Sequence, residues 1–278
     1  MTESMKLPLV TIVIANYNYG QYVETAISSA ISQDYPGGLQ ICIVDDGSTD
    51  DSWKKIQNIV DTKTTKKDDL EIAEKVIVRP DLHEIRVIAI KRSNGGASAA
   101  RNTAINHTWE ETHAFAILDA DDEYYPNKVS RMVQKLIQDP MRIGVVYADY
   151  DIHDLSTGKI VREFKQPYNK EVLMGECIFH SNALINKLAF AGTHESTGFY
   201  DVNLHGPASG EFIGCSEDYD LWIRISEQFL IVHIPESLAI ANITGSNQTT
   251  NVTPEVFNEN FQYILSKMHQ RMNEQKQF

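Results

Sequence analysis

The run Asp119-Ala120-Asp121-Asp122 directly follows the apolar segment 114–118. Residues two apart in an extended segment point the same way, so Asp119 and Asp121 can face one cation. Carboxylate oxygens select hard ions such as Mg²⁺ or Mn²⁺, and an ion held there would bridge a diphosphate. The alternative is a solvated acidic turn that caps the next helix. Further polar clusters at the ends of other apolar segments favour the ion site.

Two more polar clusters follow apolar segments. Asp45-Asp46 comes after residues 39–44, where a carboxylate can accept a hydrogen bond from a nucleobase N–H or a ribose hydroxyl. A glycine turn with a helix cap is the alternative there. Gly95-Gly96 opens a helix containing Arg101, and its backbone N–H groups with the guanidinium suit a phosphate. Tight packing of that helix on the sheet is the alternative.

A fourth candidate is the pair Glu217-Asp218, which begins a predicted helix over 217–227. Acidic residues in a first turn interact favourably with the helix dipole. The functional alternative is a general base at the edge of a cleft. The spacing of the two residues is compatible with both interpretations.

Strands and helices must position these clusters. The β-branched run 9–15 predicts a strand buried on both faces, and the segments 39–44, 86–90 and 114–118 predict three further strands. Helices are predicted between them, over 22–32, after a cap at Ser48 or Thr49, and over 97–107. This alternation predicts a parallel, doubly wound α/β sheet, in which ligands bind beyond the carboxyl ends of the strands. Residues 16–18, 45–46 and 119–122 should therefore converge on one crevice.

The remaining segments are less regular. Residues 61–83 are predicted to be a surface excursion with some helix, and 126–138 a helix. In the second half, 144–150 and 230–234 predict strands, with 160–164 as a hairpin partner of the first. Residues 178–185 fit a strand or the start of a helix, and 257–272 predict an amphipathic helix.

Composition narrows the class of protein. The chain has 278 residues, 42% hydrophobic and 23% charged, which is typical of a globular protein. Its net charge of −13 disfavours nonspecific nucleic-acid binding and docking to anionic lipid. The N-terminus does not match a signal peptide, no apolar run is long enough to span a bilayer, and three cysteines are scattered. We therefore expect a cytoplasmic protein without a transmembrane segment and without a nucleic-acid partner.

In combination, five segments resemble the family-2 glycosyltransferases with the GT-A fold. They are VTIVIANYN at 10–18, IVDDGSTD at 43–50, NGGASAARN at 94–102, ILDADD at 117–122 and EDYDLWIR at 217–224. The resemblance covers roughly 9–250. It implies an inverting transfer of a sugar from a nucleoside diphosphate donor, with Mn²⁺ or Mg²⁺. The acceptor would be a hydroxyl of a glycan, a lipid-linked or a small molecule, as in glycan or surface polysaccharide synthesis.

The resemblance also implies roles for single residues. Ala15 and Tyr17 would line the donor site, with Tyr17 against the base and Asp46 binding it. A carboxylate accepts from the N3–H of uracil or thymine, which favours UDP or dTDP. Arg101 would lie near the phosphates, Asp119 would contact the donor sugar or ribose, and Asp121 the metal. Asp218 would be the catalytic base, with Glu217 beside it.

The same resemblance predicts one glycosyltransferase domain over 1–278. Within it, 9–125 would bind the nucleotide sugar, 126–250 would form an irregular acceptor-side half, and 251–278 a C-terminal helix. Two departures from the family are visible. Many members carry a histidine near the metal in the segment that corresponds to 235–247, whereas this chain has Asn242 and Thr244. The loop 201–216 is longer than usual, and its His205 is a candidate for acceptor contact.

Other functions compete with this one. A sugar-phosphate nucleotidyltransferase also uses an open α/β sheet and acidic residues on Mg²⁺, but a Gly-rich loop with a basic residue should follow the first strand. Residues 16–20 lack one. A dehydrogenase is disfavoured because no G-x-G-x-x-G follows that strand. A non-catalytic module that binds a nucleotide or sugar is the alternative from another class.

Overall fold

The computed structural model describes residues 7–79, 84–195, 198–204, 216–245 and 253–275. The strands of its sheet are β1 Val10–Asn16, β2 Leu39–Asp45, β3 Thr65–Lys67, β4 Leu70–Val78, β5 Glu84–Lys91, β6 Ala114–Asp119, β7 Glu123–Tyr124, β8 Ile143–Asp154, β9 Lys159–Glu163, β10 Leu184–Asn186 and β11 Leu230–Ile243. The helices are α1 Val23–Ile31, α2 Ser52–Val60, α3 Gly96–Thr108, α4 Lys128–Leu136, α5 Lys170–Leu173, α6 Lys187–Thr193, α7 Glu217–Ser226 and α8 Pro254–Gln275.

The strands form one mixed sheet in the order β3-β4-β5-β2-β1-β6-β10-β8-β11-β7, with β9 on β8. Strands β5, β2, β1 and β6 run parallel, as predicted. Register aligns their carboxyl ends: Ala15 is paired with Val44 on one side and Asp119 on the other, and Asn16 lies opposite Asp45. The predicted polar clusters therefore meet at one edge of the sheet.

Helices cover both faces of the sheet, so the predicted doubly wound α/β architecture is confirmed. On one face, Ile12 and Ile14 of β1 belong to a buried cluster with residues of α1, α2 and α4. On the other face, Val13 belongs to a cluster with residues of α3, α6, α7 and α8. Because successive residues of a strand point to opposite faces, a continuous apolar strand supplies both clusters.

The segment 61–83 contains strands where some helix was predicted. β3 and β4 form an antiparallel hairpin, and β4 pairs with β5 from Glu71 to Val78. Ile72 and Ala73 of β4 are buried, and from Glu74 to Val78 exposed and half-buried residues alternate. The residue types do not follow this alternation, since Val76 and Val78 are exposed, and the several charges had suggested a surface excursion. Residues 80–83 lie outside the described residues.

The predicted cap of α2 is also wrong. The helix begins at Ser52 with Asp51 at the cap position. Ser48 and Thr49 instead join the turn to the end of β1: Ser48 Oγ accepts a hydrogen bond from the Asn18 backbone N–H (2.9 Å). The Thr49 backbone N–H donates to Asn18 Oδ1 (2.8 Å). These bonds hold the turns after β1 and β2 together at the crevice.

In the second half, the predicted hairpin is confirmed, because β9 pairs with β8 in antiparallel fashion. The undecided segment 178–185 leads into the short strand β10, which pairs with β6 and β8. The C-terminal helix α8 buries Ile264 and Met268. Within the described ranges, no helix is both long and apolar enough to cross a lipid bilayer.

Candidate active site

A cavity of about 700 Å³ opens at the carboxyl ends of the parallel strands. All eight residues that the sequence nominated line it: Ala15, Tyr17, Asp46, Arg101, Asp119, Asp121, Glu217 and Asp218. Strand register brings together the ends of β1, β2 and β6, α3 adds Arg101, and α7 adds the last two residues from the far half of the chain. His205, the acceptor-side candidate, lies outside the described residues.

Asp46 forms one end of the cavity and fixes the start of α3. Its carboxylate accepts hydrogen bonds from the backbone N–H groups of Gly95 (3.0 Å) and Gly96 (2.7 Å), and Arg92 Nε lies 3.2 Å away. Burial raises the pKa of Asp46, while these donors oppose the rise. Gly47, at φ +78°, suits this turn, since a Cβ there would lie 2.8 Å from the Asn94 nitrogen. Asp46 thus combines a structural role with a position in the cavity.

Arg101 joins three elements in the middle of the cavity. It is buried on α3, its Nη2 donates to Asp119 Oδ1 at 2.8 Å, and its Nη1 donates to Glu217 Oε1. The ring of Tyr200 lies beneath the guanidinium, with 5.3 Å between Arg101 Cζ and the ring centroid. A single cation therefore connects the end of β6 with the start of α7.

Asp119 ends β6 and is held ionised. Its second oxygen accepts a hydrogen bond from Ser181 Oγ at 2.6 Å. Burial opposes the negative charge, but Arg101, His180 and Ser181 together outweigh it, so the pKa of Asp119 lies below its ordinary value. The side chain keeps 27% exposure, enough to meet a ligand in the cavity.

Asp122 and His180 complete an acidic cluster with Asp119. Single ligand atoms of these three residues all lie within 4.8 Å of one another. Burial and the charges of Asp119 and Asp121 raise the pKa of Asp122 well above its usual range. A divalent ion would remove that repulsion, and carboxylate and imidazole are suitable ligands for it. The donor set therefore fits a metal.

The predicted metal residue Asp121 belongs to the same turn and lines the same cavity. It is outside the compact three-residue group that contains Asp119. Its backbone carbonyl accepts a hydrogen bond from Asn242 Nδ2 at 2.7 Å, and the Asn242 backbone N–H donates to Asp122 Oδ1 at 3.0 Å. Asn242 therefore braces the acidic turn from β11.

Asp218 lies in the first turn of α7 and lines the cavity. Its Oδ1 accepts a hydrogen bond from the Tyr219 backbone N–H at 2.8 Å. Burial and the neighbouring Glu217 raise the pKa of Asp218 to about 7. Both interpretations of the acidic pair are thus compatible: the side chain sits at the helix start, and it is a carboxylate poised to take a proton near neutral pH.

Sequence reasoning missed several residues of the cavity. His180 and Ser181 follow a segment without a clear period, and Asp122 was quoted in its motif without a role. Tyr150 and Cys177 also line the cavity. Only the position of Asp122, next to two nominated acids, offered a signal in the sequence.

Comparison with known proteins identifies the family. The family model described as "Glycosyl transferase family 2" matches residues 11–189. An uncharacterised glycosyltransferase of Rickettsia felis is 27% identical over 251 residues, 87% of this chain but 35% of the relative. The relative WfaP of Escherichia coli, a UDP-Glc:α-D-GlcNAc-diphosphoundecaprenol β-1,3-glucosyltransferase, is 28% identical over 223 residues, 79% of this chain and 70% of the relative.

Solved structures agree on the fold. The crystal structure of S. aureus TarS 1-349 in complex with UDP matches with a TM-score of 0.59 and 16% identity over 94% of this chain and 64% of that one. The mannosyltransferase PcManGT from Pyrobaculum calidifontis, in complex with GDP-Man and Mn²⁺, matches with a TM-score of 0.59 and 18% identity over 89% of this chain and 60% of that one. These likenesses confirm the predicted GT-A fold, and the family model covers more than half of the sequence. The chain therefore belongs to glycosyl transferase family 2.

Proposed function

We propose that this chain transfers a sugar from a UDP-sugar or dTDP-sugar to a hydroxyl acceptor with inversion at the anomeric carbon. One observation carries the proposal. A carboxylate with a pKa of about 7, Asp218, shares a cavity with an acidic cluster suited to a divalent ion, and Arg101 connects the two through Glu217 and Asp119. That arrangement provides a general base and, in the same cavity, a place for a diphosphate.

The reaction follows from these roles. Asp218 takes the proton of the acceptor hydroxyl as its oxygen attacks the anomeric carbon, and the bond to the diphosphate breaks. Asp119, Asp121 and Asp122 would hold a Mn²⁺ or Mg²⁺ ion, which would supply positive charge for the leaving diphosphate. Arg101 keeps Glu217 and Asp119 in fixed positions, so that donor and acceptor meet in a set orientation. No covalent enzyme intermediate is required.

The proposed choice of donor nucleotide rests on Asp46 and Tyr17, which line the cavity and would contact the nucleobase. A carboxylate accepts from the N3–H of uracil or thymine, whereas cytosine has no proton there. Relatives support the donor class: the name of WfaP specifies UDP-Glc, and TarS was solved with UDP. Mn²⁺ in the PcManGT structure supports a metal in a related fold.

The acceptor is proposed as a growing glycan, and a lipid-linked sugar is the form that the name of WfaP supports. The chain spans about a third of the length of the Rickettsia felis relative, so acceptor and partners belong to this proposal. A cytoplasmic location is likewise a prediction. The family match favours glycosyl transfer over the nucleotidyltransferase and binding-module alternatives.

Thermal-shift screening of nucleotide sugars with and without Mn²⁺ tests the proposal. A ligand at 100 times its Kd adds about 2.7 kcal/mol of stability, which is readily detected. Sugar release from the stabilising donor, followed by proton NMR of the new anomeric centre after transfer, then reports the reaction and its stereochemistry. Stabilisation without release or transfer would indicate a binding module, and a retained anomeric configuration would contradict inversion.

A further inference from the structure

His180 comes from a segment far from the acidic turn along the chain, yet its ring faces that turn. Its Nε2 lies 3.9 Å from Asp122 Oδ2. Two ligands that each lie about 2.1 Å from one octahedral ion are roughly 3–4.2 Å apart. The observed separation falls in that range, so one ion can contact both groups.

The orientation of the ring is fixed by its other nitrogen. The Asn182 backbone N–H donates to His180 Nδ1 at 3.3 Å, and Ser181 Oγ lies 3.2 Å from the same nitrogen, so Nδ1 faces its own segment. Ser181 Oγ in turn donates to Asp119 Oδ2 at 2.6 Å. As an acceptor from Asn182, Nδ1 is unprotonated and the neutral ring carries its proton on Nε2. An ion bound at Nε2 would require the ring proton on Nδ1, where Ser181 Oγ would accept it in place of the Asn182 donor. Metal-bound histidines are commonly held by such a second hydrogen bond.

Asn242 occupies the segment in which the family resemblance would place a histidine near the metal, but its polar groups are used otherwise. Its Nδ2 donates to the Asp121 carbonyl and its backbone N–H donates to Asp122 Oδ1. Its Oδ1 lies 3.2 Å from His153 Nδ1. Asn242 thus supports the turn that carries the carboxylates, while an imidazole is available from another part of the chain.

We infer that His180, through Nε2, is a protein ligand of the divalent ion, alongside the carboxylates of the acidic turn. The inference rests on the proposed function, because it assumes that the donor is bound with an ion at this turn. It adds a nitrogen ligand from a segment between α5 and β10.

Electron paramagnetic resonance of the Mn²⁺–UDP complex tests the ligand directly. The parent should show the hyperfine coupling of a directly bound ¹⁴N nucleus, and His180→Gln should lose it. His180→Gln should also bind Mn²⁺ at least tenfold more weakly in the presence of UDP. The matched control is His153→Gln, which removes a nearby ring that contacts Asn242 and should keep both the coupling and the affinity.

The outcomes separate this inference from the proposed function. Bound Mn²⁺ without nitrogen coupling in the parent, or coupling that persists in His180→Gln, would overturn the assignment of His180. Absence of Mn²⁺ binding would also overturn it. Sugar release from the donor, measured in parallel with Mn²⁺ and with EDTA, reports on glycosyl transfer independently of the ligand. Asp122→Asn, at saturating Mn²⁺, should weaken binding but retain the coupling.

Discussion

Arg101 and Asp119 are joined by a hydrogen-bonded ion pair of 2.8 Å, which ties helix α3 to the carboxyl end of β6. The same guanidinium also donates to Glu217, at the start of α7. Because the first turn of α7 contains the proposed base Asp218, this one side chain connects the end of β6 with the helix that carries that base. Its removal should therefore affect both stability and catalysis.

Arg101→Met should lower the free energy of unfolding by about 3–5 kcal/mol, because it leaves two carboxylates without their buried partner. Urea unfolding measures the loss. The control is Arg86→Met, which removes exposed ion pairs with Glu74 and Glu111 and should cost about 1 kcal/mol or less. Equal losses in the two variants would contradict the importance of the buried pair.

UDP binding should require Mn²⁺ or Mg²⁺, because the acidic turn otherwise repels a diphosphate. Calorimetry of UDP binding with EDTA and with Mn²⁺ measures this dependence. In Asp121→Ala, the UDP affinity should be the same under the two conditions. Asp69→Ala, at an exposed position of the β3–β4 turn, serves as the control and should behave as the parent. Equal UDP affinity with EDTA and with Mn²⁺ in the parent would refute the metal requirement.

UDP or dTDP should bind more tightly than CDP and GDP if Asp46 accepts from N3–H of the base. Competition against a bound UDP-sugar gives the ranking. Asp46→Asn should narrow the difference between UDP and CDP, because its amide can also donate to cytosine N3. CDP or GDP competing as well as UDP in the parent would show that Asp46 serves only to hold Gly95 and Gly96.

Helix α8 should position the proposed base through Lys267. The Lys267 ammonium lies 2.7 Å from Asp201 and 3.1 Å from Asp220, two positions after Asp218. Lys267→Met should lower kcat at least tenfold with little change in donor KM. Lys267→Arg, which keeps the positive charge, should retain part of the parent's kcat.

The control for Lys267 is Arg271→Met. Arg271, also on α8, forms ion pairs with Glu195 and Glu227 but, within the described part of the chain, no hydrogen bond with Asp220, so its loss should lower the melting temperature more than kcat. If both methionine variants lose kcat equally, α8 merely stabilises the fold and does not position the base.

Much of this site was predictable because strand ends are easily recognised in sequence. The apolar runs before Asn16, Asp45 and Asp119 predicted parallel strands, and strand register then places these residues together. The start of α7 was recognisable from the helical spacing after Glu217. In these places the local pattern and the tertiary fold agree.

His180 and the β3–β4 hairpin were not predictable in this way. His180 reaches the cavity because β10 lies between β6 and β8, a long-range pairing that leaves no local signal in the segment before it. In β4 the residue types show no alternating period, because the exposed positions include Val76 and Val78 as well as Glu74. Both depend on which elements become neighbours, and that information is absent from any short window of sequence.

The central claim is that Asp218 is the general base, and single-turnover transfer at saturating donor and acceptor tests it most directly. Since its pKa of about 7 lies above the ordinary value, the base is protonated at lower pH, and the parental rate should rise with pH through about 7. Asp218→Asn should reduce the rate by about 10²–10⁴-fold.

The same variant should keep the parent's donor affinity. A raised pKa also means that the native state loses stability as the pH rises from the ordinary value of 3.8 to about 7, so at pH 8 the melting temperature of Asp218→Asn should equal or exceed the parent's. The account predicts a slow, well-folded, donor-binding enzyme. A single-turnover rate close to the parent's would contradict it and would place the base elsewhere in the cavity, with Glu217 the next residue to replace.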